Sequence, residues 1–441
     1  MPHPTAVRRA VPTGRRVLRA GLAGWRVLVV LFFTGWVIMY ANRTILSAAM
    51  RLLEQEWSLG HTELGLINSA FFLAYALMQV PAGVLGDLVS RRLVLLAGWF
   101  VHAGGTLASA LSPGLGLFTV ARVATGLGQG SYYSTQYALA TAAVPPERRA
   151  RALALINAGM SAGILAGWGA GALVLYRWHV PWRAVFLILA VFTAGLGVLM
   201  TALVREDRSA ASALAGDATS GGSVPERSLR PAKGVAVRPT RRVLLLASGT
   251  SFCSMYAFYV LLTWLPFYLQ VARRLEGTEA GLVAALVPLL SVPASLLAAA
   301  WADRPGRESG VRRAAALVVL LPAAALAVLM VGLVPGRIAL YGGVVLYGLT
   351  GKLVVDPLLV AEVAAATPRE AYASAFGILN LASTVPTFLA PAVTGWLADL
   401  TGHFGGAFIV AAVLLGIGTI TAAVLAGSGA PRPGKSRSRR K

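Results

Sequence analysis

The chain has a single cysteine, Cys253, set inside an apolar run, so no intrachain disulfide can form. Charge is scarce as well. Only 13% of the 441 residues are charged, against about 25% in soluble domains. Acids are scarcer still, with 17 Asp and Glu facing 39 Lys and Arg for a formal net charge of +22. There is no Cys/His ligand spacing, no G-x-x-x-x-G-K-[S/T] phosphate loop and no nucleophile triad, which removes the usual grounds for a metal centre, a cofactor or an enzyme. Nucleic-acid binding would need basic residues interleaved along one exposed surface. Here they lie between long uncharged stretches. What the chain has in quantity is apolar: 57% of its residues are hydrophobic, and its mean hydropathy is +0.70. It reads as an integral membrane protein.

A membrane-spanning helix needs about 20 largely apolar residues. Twelve segments qualify: 27–50, 64–86, 93–111, 115–143, 152–175, 184–204, 243–271, 279–302, 314–334, 338–366, 373–398 and 406–426. Continuous apolar runs exclude a strand barrel, whose signature is alternation. The predicted fold is therefore all-α, a membrane protein of 12 transmembrane helices. Basic residues favour the cytoplasmic side. With the N-terminus inside, thirty of the 39 fall on that side, six on the other and three (Arg43, Arg122 and Lys352) within spans. Both termini are thus expected in the cytoplasm. Residues 205–242, rich in Ser, Ala, Gly and Arg, read as a cytoplasmic linker. The predicted organisation is a basic tail (1–26), a six-helix bundle (27–204), the linker (205–242), a second six-helix bundle (243–426) and a second basic tail (427–441).

The two halves repeat. T-E-L-G-L at 62–66 returns as T-E-A-G-L at 278–282, and the same offset of 216 carries Tyr40 to Tyr256 and Asp87 to Asp303. G-L-G-Q-G at 126–130 and G-L-T-G-K at 348–352 match at an offset of 222. Two parallel six-helix repeats enclosing a central cavity form a transporter architecture.

Over essentially its whole length the chain resembles the major facilitator superfamily. The segment G-V-L-G-D-L-V-S-R-R at 83–92 follows the family pattern G-x-L-A-D-R-x-G-R-R/K with two departures, Leu88 and Ser90, and A-D-R-P-G-R at 302–307 keeps D-R-x-G-R. A carboxylate at a helix end can accept from backbone N–H groups and pair with Arg. Asp87, Arg91 and Arg92, with Asp303, Arg304 and Arg307, are therefore expected to gate the cytoplasmic side. The bland alternative is that these arginines only anchor topology.

Charge inside a bilayer is costly and marks function. Arg43 and Arg122 lie at similar depth with no acid in the first-half spans to neutralise them. Guanidinium groups bind carboxylate or phosphate bidentately, so an anionic substrate is expected. Trp36, Tyr40, Arg43 and Ser47 share one stripe of the first span, and Arg122, Gly126, Gln129, Tyr133 and Gln136 share one of the fourth. Asn68, Tyr75 and Gln79 align on the second span, while Phe252, Tyr256, Tyr259 and Thr263 repeat the first-span spacing without a charge. The expected substrate residues are Arg43, Arg122, Tyr40, Tyr75, Gln129, Tyr133 and Tyr259, with Asn157 and Asn380 at corresponding points of spans five and eleven. Lys352 and Asp356, four apart on one helix face, form either a proton switch or a static ion pair. His102 reads as a satisfied core histidine.

Y-A-N-R-T-I-L-S at 40–47 resembles the Y-x-D-R-x-x-L-S pattern of the anion:cation symporter family, and R-V-A-T-G-L-G-Q at 122–129 resembles its R-x-x-x-G-x-x-E. That resemblance implies substrate-binding roles for Arg43 and Arg122. Asn42 and Gln129 stand where the family pattern has titratable acids, which puts proton coupling there in doubt. The organophosphate:phosphate antiporters resemble it second, but their seventh-span Arg has no counterpart here. In span five Gly163 is followed by Ile164 rather than by the Pro of drug–proton antiporters, which counts against drug export. The expectation is a secondary transporter of a small organic anion (a sugar acid, carboxylate or phosphate ester) working by alternating access. Protons are the candidate coupling ion and membrane lipids the surroundings. A monomer in the plasma (bacterial inner) membrane is expected, with no metal, cofactor or nucleic acid. The rivals are efflux of lipophilic compounds and a non-transporting receptor on the same fold.

Overall fold

The computed structural model describes residues 15–204, 241–302, 309–367 and 372–428, and all their regular structure is helical. In chain order the helices are α1 (Arg15–Trp57), α2 (His61–Leu88), α3 (Arg91–Ala110), α4 (Leu115–Ala143), α5 (Arg149–Leu165), α6 (Trp182–Leu203), α7 (Arg241–Val271), α8 (Gly277–Ala302), α9 (Ser309–Gly332), α10 (Arg337–Thr350), α11 (Lys352–Ala366), α12 (Tyr372–Thr401) and α13 (Gly405–Ser428). Beyond Leu165 the fifth helix continues through wider π turns at Ala166–Ala170 and Leu173–Arg177. Most of the expected linker and the whole second gating triad, Asp303, Arg304 and Arg307, lie outside the described residues. α1 begins at Arg15, inside the stretch expected as the first basic tail.

Among the described residues eleven spans are long and apolar enough to cross a bilayer, with α10 and α11 together making one of them. The twelfth is α4. Its 29 residues reach about 43 Å at 1.5 Å per residue, ample for a ~30 Å hydrocarbon core. It falls short in hydropathy alone, because it carries Arg122, Gln129, Gln136 and three tyrosines. Those first three side chains are buried against α1 and α3 rather than facing lipid.

The tenth span departs from expectation. In place of one helix over 338–366, the chain leaves helical geometry at Gly351 (φ −72°, ψ −173°) and restarts at Lys352. Glycine concedes little helical stability by breaking there. The carbonyl of Gly348, freed by the break, accepts from Ser291 Oγ at 2.8 Å. Interrupted helices are tolerated at membrane depth only when such groups find partners inside the protein.

Within the first half α4 packs on α2 and α3, and α1 on α5; within the second, α13 packs on α7 and α9, and α10 on α8 and α9. The halves meet through three pairs: α1 with α7, α2 with α12, and α5 with α8. That pattern maps onto itself when the halves are exchanged. The repeat is visible at single-residue level, since Ser47 Oγ donates to the carbonyl of Thr263 at 2.7 Å, joining two positions related by the 216-residue offset.

The four-residue glycine stripe of α5 lets α1 approach closely, as small residues do between membrane helices. A Cβ at Gly159 would come within 2.5 Å of the Phe33 carbonyl, and one at Gly163 within 2.5 Å of the Val37 carbonyl. Gly163→Ala is expected to cost about 2 kcal/mol through overpacking, read as a lower melting temperature in detergent. Gly104→Ala, at a site with nothing within 4 Å, serves as control. Equal melting temperatures for the two would show that the α1–α5 contact is not tight.

Candidate functional site

Helical periodicity places Tyr40, Arg43 and Ser47 on the face of α1 that meets the second half. Arg43 is 4% exposed. Its Nε donates to Gln129 Oε1 at 2.8 Å. Its guanidinium carbon lies 4.4 Å from the Tyr75 ring centroid and 4.6 Å from that of Tyr40, close enough for cation–π attraction. Its Nη2 is buried and has no hydrogen-bond partner. The Gln129 amide is fixed at both ends. Because Arg43 can only donate, Gln129 must present its oxygen to it and its NH₂ to His102 Nε2, 3.0 Å away. His102, fully buried, therefore accepts at Nε2, and it acts as a core residue behind Arg43.

Arg122 sits elsewhere. It is completely buried, its Nη1 donates to Asn42 Oδ1 at 2.7 Å, and Asn42 Nδ2 donates on to Thr106 Oγ1 at 3.1 Å. Its guanidinium stacks over Phe71 at 4.6 Å, and its Nε and Nη2 have no partner. Arg43 and Arg122 thus take different side-chain partners. Phe71 stands against both guanidinium groups. Among the described residues neither arginine forms an ion pair, so the first half holds two buried cations without a counter-charge.

The aromatic wall beside Arg43 is continuous. Trp36 packs on Tyr40 (5.8 Å) and on Tyr133 (6.1 Å), and Tyr133 packs on Tyr137 (4.9 Å). Tyr133 keeps 38% of its surface exposed. The Tyr137 hydroxyl donates to Asn157 Oδ1 at 2.8 Å, so Asn157 backs the wall rather than leading it. From the second half Tyr259, the repeat partner of Arg43, packs edge-on to Phe72 at 4.8 Å. Asp356 lies on α11. It is ion-paired with Lys352, whose Nζ lies 5.5 Å from the Phe258 ring centroid. The lysine is the more buried partner, with 8% of its side chain exposed against 34% for the aspartate. Asn380 is exposed and faces Gln79 Oε1 at 3.5 Å across the halves.

The two halves close on each other at the end of the bundle where α1 and α2 join. There Ser47 reaches Thr263, Gly65 abuts the Pro391 carbonyl and Gly281 abuts the Trp168 carbonyl. Toward the opposite end α4 and α11 form no packing interface among the described residues. Two contacts of the first gating triad fall within its own half. Arg91 pairs with Asp87 at 2.7 Å across the α2–α3 turn, and Arg92 Nη2 donates to the Thr201 carbonyl at 2.6 Å.

A further polar junction between the halves was not expected from sequence. Asp399, at the end of α12, accepts from the backbone N–H groups of His61 (3.1 Å) and Thr62 (2.7 Å) and from the Thr62 hydroxyl (2.6 Å). The one sequence signal was the T-E-x-G-L repeat itself, which marks the start of α2.

Residues 31–359 match the family model described as Major Facilitator Superfamily. The chain is 25% identical over 397 residues to a hexuronate transporter of Bacillus subtilis (strain 168), covering 87% of this chain and 90% of that protein. It is 26% identical over 407 residues to a probable sulfoacetate transporter of Cupriavidus necator, covering 89% and 91%. A probable L-galactonate transporter of Escherichia coli (strain K12) is 26% identical over 413 residues, covering 89% and 87%. Among solved structures, a bacterial homolog to the human lysosomal transporter Spinster, inward-facing and unoccupied, superposes with a TM-score of 0.70 at 15% identity, over 92% of this chain and 97% of that one.

Proposed function

The chain belongs to the major facilitator superfamily, and from that premise we propose that it is a secondary transporter of a small organic anion, a hydroxylated monocarboxylate such as a sugar acid. One observation carries the reading: Arg43 is buried between the halves with Nη2 unpartnered and no carboxylate bonded to it. An uncompensated buried guanidinium is costly, and a substrate carboxylate is its natural complement. The relatives named for hexuronate, sulfoacetate and galactonate support an acid-bearing substrate. Arg122 is turned into the bundle, which favours a single carboxylate over a phosphate ester that would use both arginines. Tyr40, Tyr75, Tyr133 and Tyr259 supply ring faces and hydroxyls to a polyol body, with Asn380 further along the cleft and Asn157 behind Tyr137. Arg122 positions Asn42 and so the backbone face of α1.

Coupling would run through Asp356. Protonating it leaves Lys352 charged and largely buried without its partner, at a cost of about 3–5 kcal/mol. An anion entering the cleft offsets that cost, so proton and anion bind cooperatively. Asp356→Asn should keep anion exchange but lose pH-gradient-driven accumulation; full retention of that accumulation would make the pair a static strut. The excess of basic residues on the terminal side supports cytoplasmic termini and hence a cleft open to the cytoplasm. A plasma-membrane monomer is the simplest setting for this cycle.

The direct test is counterflow in proteoliposomes. Vesicles preloaded with a sugar acid should accumulate the labelled acid, dicarboxylates and phosphate esters should compete weakly, and lipophilic cations should not compete at all. Competition by lipophilic cations would favour efflux, and binding without flux would favour a receptor.

A further inference from the structure

Helix α2 is capped only in part by its own residues: Glu63 Oε2 takes the Gly60 N–H at 2.8 Å, which leaves the N–H groups of the first turn itself. The residue before its first turn is Gly60, which has no side chain to receive the leading N–H groups. Those orphan donors cost stability unless something accepts from them. The acceptor comes from the other half of the molecule. Asp399 Oδ1 takes the His61 N–H at 3.1 Å and lies 2.7 Å from His61 Nδ1, while Oδ2 takes the Thr62 N–H at 2.7 Å and the Thr62 hydroxyl at 2.6 Å. The carboxylate also sits at the positive end of the α2 dipole. His61 is held from two further sides. Glu54 Oε1 lies 3.7 Å from its Nε2, and the rings of Phe404, Phe267 and Trp264 lie 5.1–6.4 Å away. Next to this junction a Cβ on Gly65 would press on the Pro391 carbonyl, so the backbones of α2 and α12 are in close contact as well.

We propose that Asp399 is the outer-gate residue of the transport cycle, a helix cap supplied in trans that holds the cleft closed at the end opposite the termini. Opening toward that side strips the cap from α2, and the lost hydrogen bonds set the balance between inward-open and outward-open states. The proposal rests on the alternating-access reading above, but not on any choice of substrate.

The test exploits the single cysteine. In a Cys253→Ser background, Thr263→Cys places a lone thiol at the closed end of the cleft. Thr263 is buried there and its hydroxyl has no partner, so the exchange sacrifices no hydrogen bond. A membrane-impermeant maleimide applied from outside then reports how often the gate opens. Asp399→Asn keeps an acceptor but loses the charge, and labelling should accelerate by roughly tenfold, as expected when charge-assisted hydrogen bonds are weakened. Gly60→Ser is the second variant. The Gly60 backbone is already extended (φ −77°, ψ 165°), and a Cβ there would lie 3.3 Å from Asp399 Oδ2, so serine both offers α2 a cap in cis and crowds the carboxylate that supplies the cap in trans. It too should speed labelling. An unchanged rate in both variants overturns the proposal, and if Asp399→Asn does not fold, an unchanged rate in Gly60→Ser alone does so. The readout needs no substrate, so a wrong anion assignment shows up only in counterflow.

Discussion

Replacing Arg43 with Gln is expected to lower anion transport by on the order of a hundredfold or more, the range seen when one partner of a buried charged pair is truncated. The size follows from the position. Arg43 sits between the halves, keeps an unpartnered nitrogen and has only aromatic faces and one amide around it. A ligand carboxylate would thus be its sole ionic partner. Arg43→Lys should recover only part of the loss. An ammonium keeps the charge but lacks the planar fork that engages both carboxylate oxygens, and it would vacate the contact to Gln129. Initial rates and half-saturation concentrations in proteoliposomes separate the two effects, and melting temperatures in detergent confirm that the variants fold. A Gln variant transporting at the parent rate would place the anion elsewhere.

The second large effect is expected from Gln129→Glu. The new carboxylate would sit 2.8 Å from Arg43 Nε and occupy the cation that the substrate needs. His102 can accommodate the change, since its Nδ1 has no partner and its proton can move to Nε2. Anion affinity at neutral pH should fall on the order of tenfold to a hundredfold. Protonation removes the competitor, so affinity should recover as pH falls. Anion binding and proton binding become positively linked at that position. In the parent the amide does not titrate, so the extra pH dependence should belong to the variant alone. Measuring half-saturation against pH for both proteins checks this; parallel curves would mean that Gln129 does not control access to Arg43.

Much of the architecture was legible because membrane helices announce themselves as continuous apolar runs, and because Lys and Arg mark one side. The first-span stripe was equally legible: a period of 3–4 residues puts Tyr40 and Arg43 on one face whatever the surrounding fold. Arg122 shows the limit of that reasoning. Its depth follows from sequence, but whether it faces the cleft or the bundle depends on Asn42 and Phe71, which neighbouring helices bring to it. Gly351 lies inside an expected span and proved to be a break in a helix, because a glycine in an apolar run looks the same whether it packs or breaks. Asp399 escaped notice for a different reason. Its partners lie 337 and 338 residues away, and a carboxylate near a helix end is ordinary until the fold sets another helix's bare N-terminus against it.

The central claim is that a carboxylate is carried on Arg43. It is tested most directly by counterflow of one labelled sugar acid into matched vesicles holding either the parent protein or Arg43→Gln. The account predicts accumulation driven by unlabelled acid inside the parent vesicles and a rate in the variant near that of protein-free liposomes. Equal accumulation in both would contradict it.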